Sequence, residues 1–258
     1  MKLKTLIIAG VAALGLVGTA QAKVIKVGVA SEPYPPFSTM DASGHWQGWE
    51  IDLMHAICKD QKLDCKITTV AWDGIIPALT SGQIDVIMSS MSITKKREKV
   101  IAFSNKYYET PAAVAAPKGA KFKATPASMK GLTIGVEVGS TNQAYAKKFF
   151  SKTATLKTYQ TQDQANQDLA AGRIDATIAD EMALDGFLKT KQGKACCELV
   201  GALPYDSETL GSGIGAGFRK SDTALREKFN KGIADVRANG EYQKITKKYF
   251  TFDIYGGK

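Results

Sequence analysis

The sequence predicts an α/β protein of two similarly built lobes, each a mostly parallel sheet flanked by helices. Three observations carry that prediction. Short apolar strands alternate with amphipathic helices along the chain, the pattern of sheets covered on both faces. The pattern restarts near Thr110-Pro111. Lastly, TSGQIDVIMSS at residues 80–90 is echoed by AAGRIDATIAD at 170–180. Each stretch closes a helix with a small-Gly-x-Ile-Asp frame and opens a strand whose far end is polar.

Residues 1–22 read as a secretory leader. Lys2 and Lys4 form a basic start, residues 6–17 an apolar core, and Ala20-Gln21-Ala22 a cleavage site. The apolar run falls short of the ~20 residues needed to span a bilayer, and no later segment qualifies. With no lipid-accepting cysteine to tether it, the expectation is a soluble chain starting at Lys23, free in a bacterial periplasm. About 236 residues remain, enough for one large or two small domains. The formal charge of +9 includes Lys2 and Lys4, so the exported chain carries about +7. Its lysines are scattered at helix ends with no basic run and no interleaved aromatics. Solvated faces, not nucleic acid or a membrane surface, account for them.

The first strand, Ile25–Ala30, runs into Ser31-Glu32-Pro33-Tyr34-Pro35-Pro36-Phe37, whose prolines impose an extended loop. Ser43-Gly44-His45 makes a turn. Ile51, Met54, Ile57 and Cys58 share one face of a helix over 49–61. A strand at 66–72 follows, with Asp73 expected to cap a helix at 74–81. The strand at 84–89 ends in the hydroxyls Ser89, Ser90 and Ser92. Thr94 then caps a basic helix that carries Arg97, and 101–108 is extended. In the second half, strands are expected at 112–116, 132–138, 156–160 and 174–179. Helices are expected at 142–150, 163–171 and 181–189, and 118–129 is a polar connection. The glycine-rich stretch 211–217 reads as the chain recrossing to the first lobe, where backbones approach closely. Helices at Thr223–Ala238 and Glu241–Tyr249 complete the chain.

The cysteines divide into two pairs. Cys58 and Cys65, seven apart at a helix end and a strand start, are placed to clamp helix to sheet in an oxidising compartment. Cys196 and Cys197 are adjacent, a spacing that does not favour an ordinary bridge, and are expected to be unpaired or, rarely, bonded. His45 lies in a turn and His55 on a helix, which leaves these cysteines without the partners of a zinc site; no metal is expected.

In open α/β sheets, ligands sit beyond the carboxyl ends of the strands. Glu32 with Tyr34, Trp72, the Ser89, Ser90 and Ser92 cluster, Ser140-Thr141, and Asp180 all fall there. Singly, core packing, loop filling and helix capping (Thr141, Asp180) account for each. Jointly they describe a pocket for a zwitterion. Arg97 and the helix start at Thr141 suit a carboxylate, Asp180 and serine oxygens an ammonium, and the aromatic faces a side chain.

The sequence resembles the periplasmic amino-acid-binding proteins of ABC importers (solute-binding protein family 3), in the group that includes the lysine/arginine/ornithine- and histidine-binding proteins. The motifs run through nearly the whole exported chain: YPPF at 34–37, GWEIDL at 48–53, SSMSIT at 89–94 with Arg97, and VGST at 138–141. They continue with GRIDA at 172–176, DE at 180–181, GAGFRK at 215–220 and the ending KKYFTFDIYG. The resemblance implies a two-lobe fold closing on its ligand by hinge motion. Lobe 1 comprises 23–110 plus 212–258 and lobe 2 comprises 111–211, with crossings near 109–112 and 207–213. It places the aromatic pair that holds the ligand side chain on Tyr34 and Trp72. The α-carboxylate falls to Arg97, Ser92 and Thr141, the α-ammonium to Ser90, Ser92 and Asp180, and side-chain contacts to Ser89 and Ser140. It also implies the Cys58–Cys65 disulfide.

Three departures bear on specificity. Ser31 occupies the family's acidic position, with Glu32 one residue closer to Tyr34. Glu137 replaces an apolar residue at the side-chain end, where a buried carboxylate calls for a guanidinium or ammonium. Trp72 is larger than the usual residue and suits a flat cation. The expected function is capture of a basic L-amino acid, arginine first and lysine, ornithine or histidine next, for an inner-membrane ABC permease. The protein is expected to be a monomer, with no cofactor, no nucleic acid and no catalysis. The alternatives are a glutamine- or opine-binding protein, a sensor module, or a cyclohexadienyl-dehydratase-like enzyme, for which Glu137 is the one candidate acid/base.

Overall fold

In a computed structural model that describes residues 23–256, the strand–helix alternation resolves into two five-stranded sheets. The leader assigned to residues 1–22 lies outside the described residues. The first half contributes β1 (Ile25–Ala30), a small hairpin β2 (Thr39–Met40) and β3 (Trp46–Gln47), α1 (Trp49–Asp60), β4 (Cys65–Val70) and α2 (Ile75–Thr80). These are followed by β5 (Val86–Ile87), α3 (Lys95–Glu98) and β6 (Ala102–Phe103). The second half contributes β7 (Ala112–Pro117), β8 (Thr133–Glu137), α4 (Thr141–Phe149), β9 (Thr155–Tyr159), α5 (Gln162–Ala170), β10 (Ala176–Asp180) and α6 (Glu181–Leu188). It ends with α7 (Lys191–Cys196), β11 (Cys197–Ala202) and α8 (Ser207–Leu210). The chain then returns through β12 (Gly217–Phe218) to α9 (Thr223–Ala238) and α10 (Glu241–Tyr249), both at the positions the sequence predicts.

The strand orders are β4-β1-β5-β12-β6 and β11-β7-β10-β8-β9. In each sheet four strands run in one direction and one against them, β12 in the first and β7 in the second, so both sheets are mixed. The opposed strands follow from connectivity: β12 returns from the other lobe, and β7 enters the second lobe directly from the first crossing. The chain leaves the first sheet between Phe103 and Ala112 and rejoins it between Ala202 and Gly217. Gly211 makes that return possible. Its φ is +83°, and a Cβ there would sit 2.1 Å from the carbonyl oxygen of Ile93.

The repeated Gly-x-Ile-Asp frame performs one job twice. Gly82 and Gly172 take positive φ (+82° and +69°) just past α2 and α5, turning each helix toward its strand. Ile84 and Ile174 are buried against Gly28 of β1 and Gly135 of β8, where a Cβ would lie 2.2 and 2.6 Å from the isoleucine side chain. Asp85 Oδ2 accepts from the Lys26 N–H (3.1 Å), and Asp175 Oδ2 from the Thr133 N–H (2.7 Å). Each aspartate thereby fixes the neighbouring parallel strand by its first residues. Asp85 also binds Lys23 Nζ at 3.0 Å and Arg219 Nη2 at 2.9 Å. Its pKa lies below the usual range because those donors outweigh its partial burial.

Each lobe has its own apolar core. In the first, α1 buries Ile51, Leu53, Met54, Ile57 and Cys58. α9 and α10 pack against it, with Trp49 enclosed by Tyr107, Tyr108 and Tyr242 and donating to Thr246 Oγ1 at 3.1 Å. In the second, Val114, Ile134, Val136, Tyr145, Phe150 and Ile178 form the centre.

Three expectations need correction. Asp73 does not cap α2: a 3₁₀ turn at Trp72–Gly74 leads into that helix, whose cap position, Gly74, has no side-chain bond. Ser140, not Thr141, caps α4, accepting from the Gln143 N–H at 3.0 Å. Cys196 and Cys197, expected unpaired or rarely bonded, form a disulfide. The helix α7 ends at Cys196 and Cys197 already has extended backbone, so the corner between them turns the two sulfurs together. The Cys58–Cys65 disulfide is present and ties the last turns of α1 to the first residue of β4.

Candidate functional site

The carboxyl ends of β1, β4 and β5 point at those of β8 and β10, and the cleft between them holds a cavity of about 550 Å³, partly open to solvent. All eleven site residues expected from the sequence line it: Glu32, Tyr34, Trp72, Ser89, Ser90, Ser92 and Arg97 from one lobe, and Glu137, Ser140, Thr141 and Asp180 from the other. Ala30, Pro33 and Asn142 complete the wall.

Arg97 spans the cleft. Thr94 caps α3 by accepting from the Arg97 N–H at 3.2 Å, which aims the side chain back toward the serine loop. Its Nη1 donates to Ser92 O at 2.9 Å and its Nη2 to Gly139 O at 3.2 Å in the other lobe. The guanidinium lies 5.4 Å from the centre of the Trp72 ring. Burial lowers its pKa to about 10, against the pull of Glu137, so it stays charged. Ser92 Oγ and Thr141 Oγ1 meet across the cleft at 3.3 Å.

Asp180 ends β10 at the start of α6, yet its carboxyl makes no cap bond. Its Oδ1 is buried with no partner among the described residues. Burial first, and then the neighbouring Glu181, raise its pKa to about 8. Glu137 is raised to about 8 as well, by burial and then by Glu32, with Arg97 opposing. Both acidic side chains placed in doubt by the motif departures therefore face the cavity. Glu32 Oε2 also accepts from the Trp72 N–H at 3.2 Å, joining the loop after β1 to the one after β4.

The serines divide by role. Ser89 Oγ accepts from the Ala30 N–H at 2.9 Å, and Ser140 Oγ donates to Glu137 O at 2.8 Å. Both hydroxyls are engaged in holding the walls. Ser90 has φ +52°, and a residue unsuspected from the sequence holds it there: Glu50, fully buried on the inner face of α1. Its carboxylate takes the Ser90 N–H at 2.8 and 2.9 Å, the Ser90 hydroxyl at 3.1 Å and the Tyr107 hydroxyl. The available signal was a glutamate among Trp49, Ile51 and Leu53. Glu50→Ala strands a positive-φ serine and is expected to cost about 3 kcal/mol of stability, measured by denaturant unfolding.

The matching family model, Bacterial extracellular solute-binding proteins, family 3, covers residues 25–252. The chain belongs to that family. It is 42% identical over 236 residues to the L-arginine-binding protein of Pseudomonas aeruginosa, covering 91% of this chain and 90% of the relative. It is also 42% identical over 225 residues to the lysine/arginine/ornithine-binding periplasmic protein of Escherichia coli, with 86% of each covered. Among solved structures, an ancestral arginine-binding protein bound to arginine superposes with a TM-score of 0.81 at 33% identity, covering 88% of this chain and 98% of that one.

Proposed function

We propose that the protein captures a cationic L-amino acid, arginine first, in the periplasm and delivers it to an ABC permease without catalysing a reaction. One observation carries the reading: the cavity lining gathers one guanidinium, Arg97, with three carboxyl groups, Asp180, Glu32 and Glu137. Glu137 feels both Glu32 and Arg97, whereas burial and Glu181 set the raised pKa of Asp180. A basic amino acid offers the complement, with its α-ammonium, α-carboxylate and side-chain cation. Arg97, with backbone N–H groups at Ser92 and Thr141, takes the carboxylate. Asp180, Ser90 and Ser92 take the ammonium, and Tyr34 and Trp72 enclose the side chain as it reaches Glu32 and Glu137. Residues 23–110 plus 212–258 and 111–211 act as the closing bodies, with Arg97–Gly139 and Ser92–Thr141 as latches.

Enzyme chemistry on an anionic ring substrate fits this wall poorly, because Arg97 is the one cationic side chain among the described lining residues. A thermal-shift panel on refolded, ligand-stripped protein separates the readings. Arginine, lysine, ornithine and histidine are expected to raise the midpoint, by ~2.7 kcal/mol of stabilisation at a hundredfold excess over Kd. A shift with prephenate and none with any amino acid would replace this function by the dehydratase.

A further inference from the structure

Beside the ligand cavity lies a second, larger chamber, about 930 Å³ of atom-free space, again partly open to solvent. It is lined by residues of both interlobe crossings, among them Thr110, Pro111, Leu203, Leu210 and Ile214. Four residues line both spaces: Ser92, Thr141, Asn142 and Asp180. The partition is thin, since Ser92 and Thr141 meet only through their hydroxyls. Asn142 Oδ1 and Asp180 Oδ1 in the shared wall, and Thr110 Oγ1 in the chamber's own lining, are buried and lack partners among the described residues. Buried polar atoms without partners are unfavourable until a ligand group reaches them. The chamber's charged lining beyond Asp180 is Glu109, whose carboxylate holds Lys106 at 2.7 Å. Such a wall favours a cation or a donor over an anion.

We propose that the chamber takes the N-terminal residue of a dipeptide whose C-terminal residue is the cationic amino acid, as in glycyl- or alanyl-arginine. The proposal rests on the assignment of Arg97 and Asp180 to the ligand's α-groups. The C-terminal carboxylate and side chain keep the contacts of the free amino acid. The peptide N–H replaces one donor of the α-ammonium beside Ser92 and Asp180. The new ammonium, with three N–H donors, reaches the three orphaned acceptors, and Pro111, Leu203, Leu210 and Ile214 suit a small side chain. An opine-type substituent, which brings a second carboxylate, would face Asp180 and Glu109 instead and is disfavoured.

Titration calorimetry on the exported chain with L-arginine, Gly-Arg, Nα-acetyl-arginine and Arg-Gly tests this. Gly-Arg is expected to bind within about tenfold of arginine, and the acetyl compound and Arg-Gly at least about a hundredfold more weakly. Thr110→Val, which removes one acceptor, is expected to weaken Gly-Arg about tenfold and leave arginine unchanged. Arginine binding with no Gly-Arg binding would overturn the proposal, as would acetyl-arginine binding as tightly as Gly-Arg. An equal effect of Thr110→Val on both ligands would overturn it too. If neither arginine nor Gly-Arg binds, the assignment of Arg97 and Asp180 falls, and the proposal with it.

Discussion

Arg97→Ala is expected to weaken L-arginine binding by about 10²- to 10³-fold while the protein stays folded. Removing one partner of a buried, hydrogen-bonded charge pair costs about 3–5 kcal/mol, because the other charge is left desolvated and alone. Here the ligand carboxylate would face Asp180, Glu137 and Glu32 with no compensating cation. The fold survives because, among the described residues, the guanidinium's hydrogen bonds go to Ser92 O and Gly139 O in the cleft and to no core group. Asp180→Asn is expected to match the loss, since its carboxyl makes no hydrogen bond that the fold requires. Calorimetric titration for affinity and circular dichroism for folding check both variants. Affinity retained in either would refute the division of the ligand's α-groups between Arg97 and Asp180.

The second large effect is electrostatic and depends on pH. In the empty cavity, Asp180 and Glu137 hold their protons up to about pH 8, mainly because burial penalises the charged carboxylates. A bound ammonium or guanidinium favours the deprotonated forms, so the complex has lower pKa values and binding expels protons. Affinity for a cationic amino acid is therefore full above about pH 8 and falls as the pH drops below it, by up to about tenfold per unit for each carboxyl. Arg97, still charged below its pKa of about 10, does not change state in this window. Titrations at pH 7 in buffers of different ionisation enthalpy are expected to register proton release. Glu137→Leu should abolish its share and weaken arginine about a hundredfold more than glutamine, because only arginine carries the distal charge. Equal loss for both ligands would show that Glu137 does not meet the side chain.

Much of this was legible in the sequence, for reasons that can be stated residue by residue. The Gly-x-Ile-Asp frame at 82–85 and 172–175 is readable because the same physical task recurs: a glycine turn, an isoleucine filling the space over a strand glycine, and an aspartate holding the strand's N–H. The site residues were readable because parallel strands put their ends at one place. Short elements such as β11, α7 and α8 were missed, since tertiary pairing with β7 and packing against α4 and α6 stabilise them more than local propensity does. Glu50 was missed because its partner Ser90 is forty residues away, and nothing nearby in sequence marks the carboxylate as buried. The adjacent cysteines were misjudged because only the corner between α7 and β11 brings their sulfurs together.

The most direct test of the carboxyl-rich cavity compares L-arginine with L-citrulline, a neutral ligand of nearly the same shape. If Glu32 and Glu137 receive a cation, arginine binds at least about a hundredfold more tightly, the cost of leaving buried carboxylates without their partner. Equal dissociation constants for the two ligands would contradict the account, because the cavity would then be selecting shape and not charge.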